Sequence, residues 1–293
     1  MESTQISAIS RLFSPTVIRE MARKGKSPLF ARLVHESSLL KTLSAQGYVA
    51  DFFDKAFSIL KKKAYRHEYI YKAALTHKIL LGAHSLQTAS MLTEFRVGGC
   101  KADLAILNGT ATVYEIKSER DSLSRLERQL KAYKEVFAKV YVIAGENHTR
   151  EIFATVAPEV GILKLHDRYR ISTLREATDQ SSRTSPAAIF DAIRLSEVKQ
   201  ILRRHGLSIP QVPNTEMYDA LRSGFLTLKP MEAHEGMVHV LKKSRSLGAL
   251  VDLVGDLPYS LQSAALSAQL RRADHERLLR AVNTRILDAV RWA

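Results

Sequence analysis

The stretch KADLAILNGTATVYEIKSERDSL, residues 101–123, constrains the fold more than any other part of the chain. Two short runs rich in aliphatic and β-branched residues flank Asn108-Gly109, a dipeptide that signals a tight hairpin turn. Asp103 lies in the first run, and Glu115 and Lys117 lie in the second. Charge on a strand that needs an apolar face is costly unless it is paired or holds a metal. The segment therefore reads as a hairpin carrying a site.

Side chains alternate along a strand, so Glu115 and Lys117 share a face with Val113, while Tyr114 and Ile116 point the other way. In the preceding strand Asp103, Ala105 and Leu107 share one face. A three-residue loop, Asn108-Gly109-Thr110, pairs Leu107 with Ala111 and so Asp103 with Glu115. A two-residue Asn-Gly turn pairs Asp103 with Tyr114 instead and separates the acids; the sequence leaves both registers open. In the first register two carboxylates and an ammonium meet on one exposed edge of the sheet. Such oxygen ligands suit Mg²⁺ or Mn²⁺, which take one or two carboxylates and complete their shell with water and substrate phosphate. A metal there lowers the pKa of a bound water, and the lysine orients that water or stabilises charge on phosphorus. These parts suffice for phosphodiester hydrolysis.

The surroundings give the segment its context. Residues 1–90 space their apolar residues at three and four, as in SPTVIREMARK and SLLKTLSAQGYVADFFDKAFSILKKKAY, and read as helices. Ser14-Pro15 reads as an N-cap with proline at the first helical position, and YIYKAALTHKILLG reads as a helix closed by Gly82. From residue 91 the period shifts to strands at TEFRV, KADLAIL, TATVYEIKS and KVYVIAG, then GILKL and YRISTL as a further hairpin with His166 and Asp167 in its loop. One helix interrupts them, SLSRLERQLKAYKEVFAK, with Leu123, Leu126, Leu130, Tyr133 and Phe137 on one stripe and Glu119 and Asp121 as acids favouring its first turn. EATDQSSRTSP, residues 176–186, reads as a polar linker, and a second helical region runs over 187–293. There LSEVKQILRRHG and TEMYDALRSGFL imitate a helix-turn-helix, but LSIPQVPN between them is long for that motif. The expected organisation is a helical region 1–64, an α/β core 65–175 of mixed sheet flanked by helices, and a helical region 187–293.

The E-x-K spacing means little alone. The chain repeats it at Glu197 and Lys199, inside a helical pattern where the two side chains diverge. At 115–117 it follows an aspartate strand and a tight turn, and it precedes an amphipathic helix. In that context Asp103 with Glu115-Ile116-Lys117 resembles the PD-(D/E)xK, restriction-endonuclease-like superfamily of nucleases. The next helix adds Gln129-Leu130-Lys131-Ala132-Tyr133, similar to the Q-x-x-x-Y of its RecB-like branch. The run from LTEFRVGGCKADLAI to VYVI looks like a group of uncharacterised bacterial and phage proteins within it. The resemblance covers about residues 65–175. It implies a restriction-endonuclease-like core, Asp103 and Glu115 with Ile116 as the metal-holding set, Lys117 assisting the attacking water, and Gln129 and Tyr133, one helical turn apart, facing the site. Family members often carry a further acid on the first helix. Here the best further acid is Glu94, on the strand before Asp103 and sharing a face with Arg96. Ala102 stands where the family name has proline.

The chain has 44 Lys/Arg against 30 Asp/Glu, a net charge of +14. Residues 1–90 hold 14 basic and 6 acidic residues, 91–166 hold 11 and 10, and 167–293 hold 19 and 14. Basic flanks around a near-neutral centre suit a polyanion held by the flanks and acted on in the middle. The run KKKAYRHEY, 61–69, is a further candidate for phosphate contact. No apolar run spans a membrane and no secretory h-region opens the chain, so no membrane role and a cytoplasmic location are expected. The single cysteine, Cys100, forms no disulfide framework or cysteine zinc site, and the histidines show no ligand spacing. Walker A, G-x-S-x-G and dinucleotide fingerprints are absent. The expectation is a Mg²⁺- or Mn²⁺-dependent nuclease, with DNA favoured over RNA by the resemblance alone. Its rivals are a non-catalytic DNA-binding or regulatory protein on the same fold, and an interaction protein that dimerises or meets a protein partner through its helical flanks.

Overall fold

The computed structural model describes residues 1–42 and 46–293; residues 43–45 of the expected helical stretch 38–65 lie outside the described residues. The chain divides into two compact units. One comprises Met1–Gly82, Asp167–Arg170 and Gly248–Ala293; the other comprises Ala83–His166 and Ile171–Leu247. These units cut across the three consecutive regions expected from sequence. Residues 187–247 belong with the sheet, and residues 248–293 belong with the N-terminal helices.

The sheet unit is built on six strands in sequential order: β1 (Ser90–Val97), β2 (Cys100–Asn108), β3 (Thr110–Lys117), β4 (Lys139–Ala144), β5 (Gly161–Leu165) and β6 (Ile171–Arg175). β1, β2 and β3 form an antiparallel meander, β4 and β5 run parallel to β3, and β6 returns antiparallel to β5. The architecture is thus α/β, a mixed sheet flanked by helices. Asn108 faces Thr110 across Gly109, whose φ of 71° suits a residue without Cβ. Leu107 pairs with Ala111, the register of the three-residue loop.

Helix Leu126–Lys134 bridges β3 and β4, and helix Glu146–Thr155, not foreseen from sequence, bridges β4 and β5. The first begins four residues later than the stripe predicted, so Glu119 and Asp121 are loop residues and not first-turn acids. The cause is local: Asp121 Oδ2 accepts from the Ser118 amide at 2.7 Å and its hydroxyl at 2.6 Å, a side-chain capture that competes with helical bonding.

The residues after the polar stretch do not form a separate domain. Ile189, Phe190, Val198, Ile201, Phe225, Met237 and Leu241 share one apolar core with Leu92, Ala105, Val113, Leu130 and Val142 of the sheet layer. Helices Leu195–Arg204 and Met217–Phe225 are separated by residues 205–216, too many for a helix-turn-helix connection. Glu197, the glutamate of the second E-x-K spacing, is buried and receives both arms of Arg245 at 2.9 and 2.8 Å and the Ser244 hydroxyl at 2.9 Å. The Arg245 guanidinium in turn lies 5.4 Å from the centre of the Phe95 ring on β1. One ion pair, its carboxylate buried and its guanidinium partly exposed, thus ties two helices to the edge strand.

The helical unit begins as the sequence suggested. Ser14 Oγ accepts from the Val17 amide ahead of Pro15, and Ser27 caps the next helix in the same way. The expected stop at Gly82 is not where the chain turns. Helix Glu68–Leu75 passes into a π-helical turn at Thr76–Leu80 and continues to Ala83. The 61–69 run is only partly a solvated face: Arg66 is buried, donating to the Lys61 carbonyl and to Asp167. No helix among the described residues is long and apolar enough to cross a membrane.

Replacing Glu197 with alanine takes both carboxylate contacts from Arg245, which keeps 22% of its side chain in solvent, so the variant should lose about 1–3 kcal/mol in urea unfolding. Desolvation alone would raise the Glu197 carboxyl, but Arg245, the Arg194 amide and Ser244 together hold it below the ordinary range. Its stabilisation is therefore full above the ordinary carboxylate pKa and is lost as pH falls through the depressed value. The urea midpoint of the native chain should drop across that acidic window more steeply than that of Glu197→Gln.

Candidate functional site

The site lies where the three antiparallel strands depart from a regular ladder. β1 and β2 pair Thr93 with Leu104 and Phe95 with Ala102, which sets Glu94 opposite Asp103, yet the two form no ladder pair. Extending the β2–β3 register beyond Leu104–Tyr114 sets Asp103 opposite Glu115, and the ladder ends there as well. Three carboxylates therefore stand in one row across three strands. Like charges opposite one another on a sheet are destabilising, so this row has a cost that the fold must offset.

Each acid has a distinct environment. Asp103 is half-buried, and its Oδ2 accepts from the Ile116 amide at 2.8 Å. The carboxylate thus takes the place of a ladder carbonyl and is fixed against β3. A strand residue directs its N–H and C=O to the same neighbour, so the carbonyl of Ile116 also faces β2, on the side of Asp103. Glu94 is exposed and pairs with Lys101; one of its carboxylate oxygens lies within 4.8 Å of one on Asp103. Its φ of 56° is left-handed, a conformation worth about 1–2 kcal/mol of strain for a residue with a Cβ. The kink breaks the alternation of β1, so that Leu92 before it and Phe95 and Val97 after it enter the same core. Such strain persists where surrounding packing enforces it, and it gathers at functional positions.

Glu115 and Lys117 overturn one expectation. They share a face, but that face is not an exposed edge, since they are 1% and 6% exposed. Helix Leu126–Lys134 covers them through Gln129 and Tyr133, one turn apart. Lys117 Nζ lies 2.9 Å from Glu115 Oε1 and donates to Gln129 Oε1 at 3.0 Å. The Tyr133 hydroxyl lies 2.8 Å from Glu115 Oε2 and 2.9 Å from the Lys101 carbonyl, so one proton serves two acceptors. Burial first, and then the Glu115 charge, push the Tyr133 phenol far above its ordinary pKa, which keeps it a donor at any physiological pH. Tyr133 belongs to the apolar stripe and to the polar network at once. Its ring packs in the core, 6.4 Å from Phe137, while its hydroxyl reaches the carboxylate.

All the residues singled out from sequence, Glu94, Asp103, Glu115, Ile116, Lys117, Gln129 and Tyr133, lie in this region. Arg96 is exposed on β1, opposite Lys101. The residue the sequence reading missed is Lys101, whose ammonium meets Glu94 and whose carbonyl meets Tyr133. Its same-face spacing from Asp103 was the available signal. The donor set of carboxylates and a carbonyl around Asp103 is chemically suited to a hard divalent cation.

Residues 61–244 match the family model described as Bacteriophage P4 protein cII. Protein cII of Enterobacteria phage P4 is 27% identical over 214 residues, spanning 71% of this chain and 76% of the relative. Among solved structures, a protein of unknown function from Silicibacter pomeroyi aligns with 49% of this chain and 98% of its own, at 20% identity and a TM-score of 0.33, a level of likeness that fixes neither fold nor function.

Removing the Tyr133 hydroxyl leaves Glu115 Oε2 buried with one donor fewer. Tyr133→Phe should destabilise the chain by about 1–3 kcal/mol in urea unfolding with little change in far-UV circular dichroism. A variant as stable as the native chain would mean that Glu115 finds another donor.

Proposed function

We propose that this chain, which belongs to the bacteriophage P4 protein cII family, is a divalent-metal-dependent nuclease that hydrolyses DNA phosphodiester bonds on a restriction-endonuclease-like core. The observation that carries this reading is Asp103, held by the Ile116 amide at 2.8 Å, with a Glu94 carboxylate oxygen within 4.8 Å of its own and Glu115 opposite it in strand register. Acids in register repel one another unless cations offset them; Lys101 meets Glu94 and Lys117 meets Glu115, and a divalent ion would stand beside Asp103. Asp103, Glu115 and the Ile116 carbonyl would hold Mg²⁺ or Mn²⁺, with Glu94 bordering it. The ion would supply an acidified water and a counter-charge for the phosphate.

The protein's own groups do the rest. Lys117 spends one donor on Glu115 and one on Gln129, and an ammonium has three, so the third is left to orient a nucleophilic water. Gln129 fixes the direction of that ammonium, and Tyr133 fixes the Glu115 carboxylate, so neither must reorganise as charge develops. Charge supports a polyanionic substrate. The helical unit carries 22 basic and 12 acidic residues, a net of +10 out of the chain's +14.

A non-catalytic DNA-binding protein on the same core is the second reading, and the near-complete burial of Glu115 and Lys117 favours it, because a purely structural ion pair would be sealed in the same way. The test is cleavage of circular, linear and single-stranded DNA in Mg²⁺, Mn²⁺ or EDTA, alongside Asp103→Ala and Lys117→Ala. The nuclease reading expects metal-dependent loss of substrate that falls by at least about a hundredfold in both variants. It also expects Mn²⁺ to raise the melting temperature of the native chain but not of Asp103→Asn. Uncut DNA with unchanged binding in all variants would leave the second reading in its place.

A further inference from the structure

The helical unit contains a second unusual cluster, remote in kind from the acidic row. Phe57, His77, Tyr169 and Tyr259 converge there. His77 and Tyr259 stack with ring centres 3.6 Å apart and planes at 24°, while Phe57 and Tyr169 meet Tyr259 edge-on at 6.3 and 6.4 Å. His77 Nδ1 lies 2.9 Å from the Tyr169 hydroxyl. Three features exceed what core packing asks for. His77 stands in the π-helical turn Thr76–Leu80, a distortion that gathers at functional sites. Tyr169 is held at a left-handed φ of 56°. Tyr259 is 45% exposed although its three ring neighbours are buried.

Cations surround these rings. Lys61 Nζ lies 5.4 Å from the Phe57 ring and 5.7 Å from the Tyr169 ring, and Lys78 Nζ lies 5.9 Å from the latter. Arg168 and Arg170, on either side of Tyr169, are exposed, as are Lys62, Lys63 and Lys78. His77 covers one face of Tyr259, and Phe57 and Tyr169, about equally distant from both stacked rings, lie beside the stack, so none of the three covers the opposite face.

We propose that this face of Tyr259 is a stacking platform for an unpaired nucleobase of single-stranded DNA, with Lys61 and Lys78 meeting the flanking phosphates. An exposed aromatic ring whose neighbouring rings carry lysine ammoniums matches how proteins hold single strands: the base supplies a π-face regardless of identity and the backbone supplies charge. A duplex offers the charge but not the face, because its bases are already stacked. The proposal deepens the DNA-substrate reading by naming the strand form, and it rests on that reading only for the identity of the polymer.

The experiment is fluorescence anisotropy of the full chain in EDTA, with a labelled oligo-dT and a duplex of equal length, over a series of salt concentrations. Tyr259→Ala should weaken oligo-dT binding on the order of tenfold and duplex binding much less, while Tyr259→Trp should restore the loss. The double substitution Lys61→Gln with Lys78→Gln should weaken both ligands and flatten the salt dependence. Circular dichroism and urea unfolding establish that each variant is folded. Unchanged oligo-dT affinity in a folded Tyr259→Ala, equal losses for single strand and duplex, or no oligo-dT binding by the native chain would each overturn the proposal. Because no metal is present, the result is independent of cleavage. Tyr259-dependent binding without cleavage in any metal would remove the nuclease and leave the platform, and cleavage with Tyr259→Ala binding like the native chain would do the reverse.

Discussion

The ion pair of Glu115 and Lys117 sits where the sheet would otherwise be sealed by aliphatic side chains, and the cost of burying it organises what lies around it. Two charges taken out of water are stable only if their remaining donors and acceptors are met. Here the partners come from a helix that the chain reaches only after a loop, through Gln129 and Tyr133. The strand cannot keep its charges without the helix, and the helix is drawn to the sheet partly by those charges. In the folded layer the sheet's charges and the helix that meets them depend on each other.

The same dependence extends outward. Tyr133 reaches back to the carbonyl of Lys101, and Lys101 reaches Glu94, so the helix, the central hairpin and the edge strand share one chain of polar contacts. The left-handed backbone of Glu94 is tolerated because Phe95 beside it is held by the core and by the guanidinium of Arg245, itself clasped by Glu197. The helices between residues 186 and 247 thus act on the site from a distance. They hold an edge strand in a strained shape that brings the Glu94 carboxylate near Asp103. The match to the P4 protein cII family covers the sheet, the site and the helices up to residue 244 together.

Much of the site was legible in the sequence. Alternation along the strand fixed Glu115 and Lys117 to one face, the Asn-Gly turn restricted the register to two choices, and 3.6-residue spacing set Gln129 and Tyr133 on one side of a helix. These rules are local: each needs only the backbone period and the residues within a few positions. The strands β1 to β6 and the helix start at Ser14-Pro15 were readable for the same reason. The captured Asp121, the late start of the following helix and the π-helical turn were not, because side-chain hydrogen bonds overrode the pattern on which the reading depends.

What the sequence by itself determined was a charged hairpin, a helix bearing a glutamine and a tyrosine one turn apart, and a strongly basic chain. The tertiary structure decided which of the two registers held, that Glu115 and Lys117 are buried rather than exposed, and that Lys101 belongs to the network. It also divided the C-terminal helices between two units. Burial and partnership depend on residues distant in sequence: a strand's two faces look alike until a helix settles on one of them, and a carboxylate becomes a ligand, a salt bridge or a ladder substitute according to which neighbours packing delivers.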